Sequence, residues 1–194
     1  MTLDEFLKIN NGIIESSKAK NVGITNKELQ RLNNVGKLQR VAHGLYMTPE
    51  SFPDEYFIAQ YRCPKGVFSH ETALYFHDLS DRTPLKLALT IPNDTSTKLI
   101  MEKDNYQIYF CKQEIHDVGV TKIKSPFGNE IRVYDKERTI CDCLKKRDSL
   151  DKDLVLSAVK EYLSQSVNDY TKLLKYAEML GIRALVKQYM EVLI

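Results

Sequence analysis

Residues 23–47 constrain the fold of this chain more than any other stretch of its sequence. The run T-N-K-E at 25–28 has the form of a capping box, in which the Thr25 hydroxyl and the Glu28 carboxylate each accept a free backbone N–H at the start of a helix. Gly36 is placed to end that helix, since glycine readily adopts the left-handed conformation that follows a last turn. A hairpin pattern follows at once, because an Ala-His-Gly turn is flanked by the apolar residues Leu38, Val41, Leu45 and Tyr46. The sequence therefore predicts a capped helix that leads directly into a β-hairpin.

Two further helices are predicted before this segment. The apolar spacing of residues 3–10 indicates a short first helix. Residues 13–14 lead into a second short helix, with Ser16 as its cap. Two short helices, a capped third helix and a hairpin are the order of a winged helix-turn-helix, a DNA-binding motif whose last helix lies in the major groove. We expect residues 1–48 to form such a domain.

The charge distribution favours a DNA-binding role for this helix and hairpin. The whole chain has a formal net charge of only +2, but residues 21–47 hold four bases and one acid. That acid, Glu28, is accounted for by the capping box. The remaining polar side chains are of the kinds that hydrogen-bond phosphates and base edges, although a plain solvated surface is the alternative. The candidate DNA-binding residues are Thr25, Asn26, Lys27, Gln30, Arg31, Asn34, Lys37, Arg40 and His43.

The rest of the chain predicts a second domain of strands and helices. The stretch 49–54 contains two prolines and is typical of a linker. Beyond it, short apolar runs indicate four or five strands broken by short helices, one of them capped by Ser69, and the last sixty residues indicate amphipathic helices. The strongest strand signal is an alternation on one face: Leu85, Leu87, Leu89 and Ile91. We expect an α+β chain with a mixed sheet and C-terminal helices over residues 54–194.

The sequence contains no Gly-rich phosphate loop, no nucleophile elbow and no zinc-protease motif. His70 and His77 lie seven residues apart, roughly 10 Å along a helix axis, which is too far to share one metal ion easily. Asp135 is explained as a helix cap, and Arg138 with Asp142 as an i,i+4 ion pair. The four cysteines show no metal-ligand spacing. We therefore expect no catalytic residue, metal or cofactor, and no enzymatic activity.

Three stretches of the sequence carry a resemblance to a known family. They are GITNKELQRLNNVGKLQRVAHGLYM at 23–47, FSHETALYFHDLSDRTP at 68–84 and YDKERTICD at 134–142. Together they resemble the AbiEi-type antitoxins of type IV toxin–antitoxin systems, which act in abortive infection as phage defence. The similarity extends over essentially the whole chain, and the second stretch is the most specific.

The resemblance implies two activities. The N-terminal domain of such proteins represses the promoter of the antitoxin–toxin operon, and the C-terminal domain counteracts a nucleotidyltransferase-like toxin without forming a stable complex with it. The DNA-reading helix of the family corresponds to residues 25–34 and its wing to residues 38–47. Because one winged helix covers little DNA, we expect the operator to contain paired repeats. The N-terminal segment is less basic than in many relatives, so weak non-specific DNA affinity is expected.

The residues that would counteract the toxin are predicted only from their position. Asp81, Arg82 and Thr83 form a charged loop beside a rigid scaffold, where functional residues are common. Two other functions stay open at this point: a metal-dependent nuclease with a DNA-binding head, and a transcriptional regulator that senses a small ligand. The sequence shows neither a secretory signal nor a membrane-span pattern, so a cytoplasmic protein is expected.

Overall fold

The structure is a computed structural model that describes residues 2–96 and 105–193. The chain divides into two compact units. The first comprises residues 1–62 together with 123–131, and the second comprises residues 63–122 and 132–194. The domain boundary predicted between residues 48 and 54 stays a prediction, and the contacts within the chain place the division after Arg62.

In the first unit, residues 1–62 begin with one helix and end with another. Its elements are α1 (Leu3–Ile9), β1 (Ile13–Glu15), α2 (Ser16–Ala19), a 3-10 turn (Lys20–Val22), α3 (Asn26–Asn34), β2 (Gln39–Ala42), β3 (Leu45–Met47) and α4 (Glu55–Arg62). The three strands form an antiparallel sheet in the order β1-β3-β2. The predicted capped helix and hairpin are therefore confirmed as elements.

The second predicted helix differs from the expectation. Residues 13–15 form a strand that pairs with β3, and the helix that follows has only four residues. Ser16 is its first residue rather than its cap, and no side chain caps it. Ile13 and Ile14 are both buried, so the apolar pair that suggested a helix entry is the core contribution of a short strand.

Two apolar clusters hold the first unit together. One lies between α1 and α3 and includes Phe6, Leu7, Leu29 and Leu32, all buried. The other brings Ile58 of α4 together with Leu45 and Met47 of β3. Asp54, at the end of the predicted linker, is buried and takes part in the start of α4, since its Oδ1 accepts the Phe57 N–H at 3.1 Å.

The second unit has a mixed sheet and a helical C-terminal part. Its elements are β4 (Val67–Phe68), α5 (His70–Phe76), β5 (Leu87–Pro92), β6 (Tyr106–Cys111), α6 (Gln113–His116), β7 (Val120–Lys124), β8 (Glu130–Tyr134), α7 (Lys136–Lys145), α8 (Lys152–Ser164), α9 (Tyr170–Met179) and α10 (Arg183–Leu193). The last residues of β7 and the first residues of β8 belong to the first unit. This confirms the predicted α+β class, the mixed sheet and the C-terminal helices.

The five-stranded sheet has the order β6-β5-β4-β8-β7. β5 pairs with β6 in parallel and with β4 in antiparallel orientation, and β4 pairs with β8 in parallel. β5 is thus an interior strand, and all six of its residues are buried. Leu87, Leu89 and Ile91 share one face of this strand, as predicted, and the residues between them are buried on the other face as well. Leu85 lies before the strand and is fully exposed.

The C-terminal helices build the core of the second unit with α5 and α7. Leu74 of α5, Ile140 of α7 and Tyr162 of α8 are all buried in this cluster. Asp135 caps α7 as predicted, because its Oδ1 accepts the Arg138 N–H at 2.9 Å. Ser69 occupies the N-cap position of α5, but its side chain makes no capping hydrogen bond, which corrects the prediction. Within the described ranges, no helix is long and apolar enough to cross a membrane.

Candidate nucleic-acid interface

The helix α3 separates an apolar face from a polar face. Leu29 and Leu32 are buried, at 0% and 6% exposure, and they anchor the helix to the core of the first unit. The Thr25 hydroxyl accepts the Glu28 N–H at 3.2 Å and fixes the start of the helix. The predicted DNA-binding residues all lie on the solvent side, since every one of the following is exposed: Thr25, Asn26, Lys27, Gln30, Arg31, Asn34, Lys37, Arg40 and His43.

The capping box is only half formed, and the reason bears on the site. The Glu28 carboxylate does not return to the backbone of Thr25 but binds Arg31, with Oε2 accepting from Nε at 2.9 Å and Oε1 from Nη2 at 2.8 Å. This hydrogen bond to Arg31 lowers the pKa of Glu28 and raises that of Arg31. Both side chains remain largely in solvent, so the pair orients Arg31 without burying it.

Arg40 is held in place by three neighbours. Its backbone N–H donates to Asn33 Oδ1 at 2.8 Å, which joins the last turn of α3 to β2. Its Nε donates to the Ala42 carbonyl at 3.3 Å, and its Nη2 lies 2.8 Å from His43 Nδ1. The register of β2 and β3 shifts between Arg40 and Ala42.

The sequence does not single out Asn33, because it is half-buried and its side chain contacts the backbone of a residue seven positions away. Its signal in the sequence is weak: a short amide side chain in the last turn of a helix, immediately before a hairpin. Its effect is to fix the hairpin relative to α3, so that Arg40 keeps a defined position beside the polar face of the helix.

The exposed surface of α3, β2 and the segment between them carries four cationic side chains, Lys27, Arg31, Lys37 and Arg40, with Glu28 as the acid among them. Guanidinium groups bind phosphates and guanine edges through paired N–H donors, and amide side chains such as Gln30 can pair with adenine. Chemically, this surface can bind a polyanion that presents both phosphates and hydrogen-bonding edges.

No protein-family model matches this chain, and no curated protein is similar to it at a significant level.

His70 and His77 both make local structural contacts within the second unit. His77 lies at the end of α5, and its Nε2 is 2.6 Å from the Tyr134 carbonyl. His70 is buried, stacks on Tyr109 at a centroid distance of 3.5 Å and contacts Ser69 Oγ through Nδ1 at 2.9 Å. Burial, followed by the charges of Lys146 and Arg138, lowers the pKa of His70 to about 3.

Arg138 and Asp142 form the predicted i,i+4 ion pair, and the structure shows in addition that the pair is buried. Arg138 Nε donates to both carboxylate oxygens of Asp142, at 3.1 and 3.0 Å, while Nη1 donates to the carbonyls of Ile115 and Val118 at 2.7 and 3.0 Å. Gly119 makes room for this side chain, since it adopts a φ of 81° and a Cβ there would lie 2.8 Å from Arg138 Cβ. Burial raises the pKa of Asp142, and Arg138 opposes that shift.

No group of three His, Cys, Asp or Glu side chains that could hold a metal ion occurs among the residues that the structure describes. The four cysteines are free thiols. The predicted loop of Asp81, Arg82 and Thr83 is exposed, and Arg82 Nη1 donates to Asp151 Oδ2 at 2.8 Å. This pair ties the loop to the start of α8 and leaves Asp81 and Thr83 facing solvent.

Proposed function

We propose that this protein is an antitoxin of a type IV toxin–antitoxin system that represses its own operon by binding the promoter DNA. In this proposal, residues 1–48 act as a winged helix-turn-helix, with α3 as the recognition helix and the β2–β3 hairpin as the wing. The exposed polar face of α3, continued by Arg40 on the hairpin, carries the DNA-binding part of the proposal. The antitoxin part rests on the resemblance to the AbiEi-type family.

The two parts of the surface have different tasks in DNA binding. α3 offers Gln30 and Arg31 from its exposed face, and such side chains discriminate bases in the major groove. Arg40 and Lys37 lie beyond the end of α3, where a wing meets the phosphate backbone or the minor groove. The operator should contain repeats, because each α3 reads only a few base pairs.

A gel-shift assay on the native promoter tests the base-reading role. The double variant Gln30→Ala/Arg31→Ala should bind at least about tenfold more weakly, since one good bidentate base contact contributes roughly 1–3 kcal/mol of discrimination. The matched control is Lys187→Ala/Gln188→Ala, which removes one base and one amide from the exposed surface of α10. Equal binding by both double variants, with unchanged circular dichroism, would remove α3 from the proposal.

Footprinting on the same promoter tests the arrangement of sites. We expect two or more protected repeats, each with the same orientation of the base-reading contacts. A single short protected site would contradict the repeat arrangement while leaving the role of α3 intact.

Antitoxin activity is tested with full-length variants rather than by truncation. A chain that began near residue 51 would keep α4 and residues 123–131 but lose the remainder of the first compact unit, including the strands against which Ile58 packs. Co-expression of the Gln30→Ala/Arg31→Ala variant with the toxin from a foreign promoter should rescue growth, because neutralisation is proposed to lie in residues 54–194. Growth arrest despite soluble, folded protein would show that neutralisation needs the DNA-binding surface.

The loop of Asp81, Arg82 and Thr83 is the proposed neutralising element. Replacing all three residues with alanine should reduce rescue from the toxin and leave promoter binding unchanged, because all three side chains are exposed and lie in the second unit. The Lys187→Ala/Gln188→Ala variant is again the control. Full rescue by the triple variant would place neutralisation elsewhere in the second unit.

A further inference from the structure

The second unit contains a large cavity that the proposed functions do not use. Its volume is about 640 Å³, within the range of about 300–1,000 Å³ that is usual for small-molecule sites. The cavity is bordered by the buried end of α5, by β5 and β6, and by α7, with the end of α9 closing one side. Most of the residues that line it are either cationic or apolar. The cationic residues suit an anionic part of a ligand, and the apolar residues suit a flat aromatic part.

The cationic groups are Lys112, Lys145, Lys146 and Arg138, against the two carboxylates of Glu114 and Asp142. The three lysines are exposed, and their ammonium groups have no hydrogen bond or ion pair with any residue that the structure describes. The charges of Lys146 and Arg138 also help to lower the pKa of the buried His70 in the cavity wall. The cavity therefore carries a surplus of positive charge that its own wall leaves uncompensated.

Arg138 lies deepest among these groups, with 2% of its surface exposed. Its four side-chain hydrogen bonds use Nε and Nη1 only. Nη2 makes no hydrogen bond within residues 2–96 and 105–193 and does not belong to the fully buried polar atoms that lack a partner, so it stays accessible to solvent. Asp142 and the two carbonyls hold the guanidinium rigidly, so this free N–H group is presented in a fixed direction on a cavity-lining residue.

The apolar part of the lining is made by Tyr109, Phe110 and Met179. Phe110 is 51% exposed and Met179 is 40% exposed, so both offer apolar surface at the wall of the cavity. Tyr109 is already stacked on His70, which fixes the plane of its ring. A flat aromatic group of a ligand could cover Phe110 and Met179 and remove this apolar surface from water.

From this combination we infer that the cavity binds a nucleotide, with its phosphates on Lys145, Lys146 and the free Nη2 of Arg138 and its base against Phe110 and Met179. Lysines act as point charges for phosphate, and a rigid guanidinium adds a directed hydrogen bond. The site is independent of the proposed DNA-binding surface, because all of its lining residues belong to the second unit.

Isothermal titration calorimetry on the full-length protein tests this inference, with ADP, GDP, adenosine and pyrophosphate as the four probes. At least one of the two nucleotides should bind at least tenfold more tightly than both adenosine and pyrophosphate, because only a nucleotide engages both parts of the lining. The Lys145→Ala/Lys146→Ala variant should weaken nucleotide binding at least tenfold. Its control, Lys152→Ala/Lys160→Ala, removes two exposed lysines of α8 that do not line the cavity.

The variant Phe110→Ala separates the two halves of the site. It should weaken nucleotide binding and leave pyrophosphate binding unchanged, since Phe110 contributes only to the apolar half. Three outcomes would overturn the inference: no heat with either nucleotide, pyrophosphate binding as tightly as the nucleotides, or an equal loss of affinity in the two double-lysine variants. None of these outcomes bears on promoter binding, which is measured with the α3 variants.

Discussion

The carboxylate of Asp54 should stabilise the first unit strongly, because it is 1% exposed and satisfies three donors. Oδ1 accepts the Phe57 N–H at 3.1 Å, and Oδ2 accepts the Ser125 hydroxyl at 2.6 Å and the Asn129 amide at 2.8 Å. The first contact caps α4, and the other two bind the turn at residues 125–129 to its start. All of these residues belong to the first compact unit.

The cost of Asp54→Ala follows from these contacts. Loss of an N-cap contact costs about 1 kcal/mol. The Ser125 hydroxyl, 5% exposed, loses its acceptor, and a buried donor without a partner costs about 2 kcal/mol. Asp54→Ala should therefore lower the free energy of unfolding by about 3 kcal/mol. Asp54→Ser keeps a capping oxygen and should lose about 1 kcal/mol less.

Urea denaturation followed by far-ultraviolet circular dichroism measures both variants. With a slope of about 2 kcal/mol per molar urea, Asp54→Ala should lower the midpoint of the first unit's transition by about 1.5 M. Asp148→Ala is the control, since Asp148 is exposed and its replacement should change stability by less than about 0.5 kcal/mol. If Asp54→Ala and Asp148→Ala unfold at the same urea concentration, the Asp54 network does not stabilise the first unit.

Three further predictions concern the charged and titratable groups. Arg40→Ala should weaken binding to all DNA sequences similarly and reduce the salt slope of log K by about one, as measured by filter binding at several salt concentrations; a change of sequence preference alone would contradict a phosphate role. The folded chain holds His70 neutral with a pKa of about 3, whereas the unfolded chain binds a proton at this side chain below about pH 6.5. Stability should therefore decrease as the pH is lowered from about 6.5 to 3. His70→Asn, which tolerates the φ of 47° at this position, should make urea midpoints between pH 7 and pH 4.5 less dependent on pH, and an unchanged dependence would refute the assignment. Asp142→Ala should destabilise the second unit by about 3–5 kcal/mol because it leaves a buried guanidinium unpaired, whereas Arg138→Met/Asp142→Leu should cost clearly less, and equal losses in thermal melts would argue against a charge effect.

The local elements could be predicted because their signals lie within a few residues of each other. The Thr25 cap, the apolar pair of Leu29 and Leu32, and the turn at His43-Gly44 each predict their structure without reference to the rest of the chain. The exposure of the candidate DNA-binding residues follows from the same periodicity, since burying one face of a helix leaves the opposite face in solvent.

The features that the sequence could not predict are pairings over long separations. Asp54 and Ser125 are 71 residues apart, and nothing in the 49–54 stretch distinguishes a buried cap from a linker residue. Arg138 is recognisable as the partner of Asp142 four residues away, but its bonds to the carbonyls of Ile115 and Val118 cross from α7 to α6 and the segment that follows it. The cavity is invisible in the sequence for the same reason, because its lysines and aromatic residues come from separate elements.

The two arginines of the proposed DNA-binding surface are prepared for DNA in different ways. Arg31 is paired with an exposed carboxylate, and it can leave this partner for a base edge at little cost because exposed ion pairs are weak. Arg40 is held through its backbone by Asn33 and through its guanidinium by the hairpin, so little conformational freedom remains to be lost when it binds. Affinity for the DNA backbone should therefore depend mainly on Arg40, and discrimination between sequences on the rearrangement of Arg31 away from Glu28.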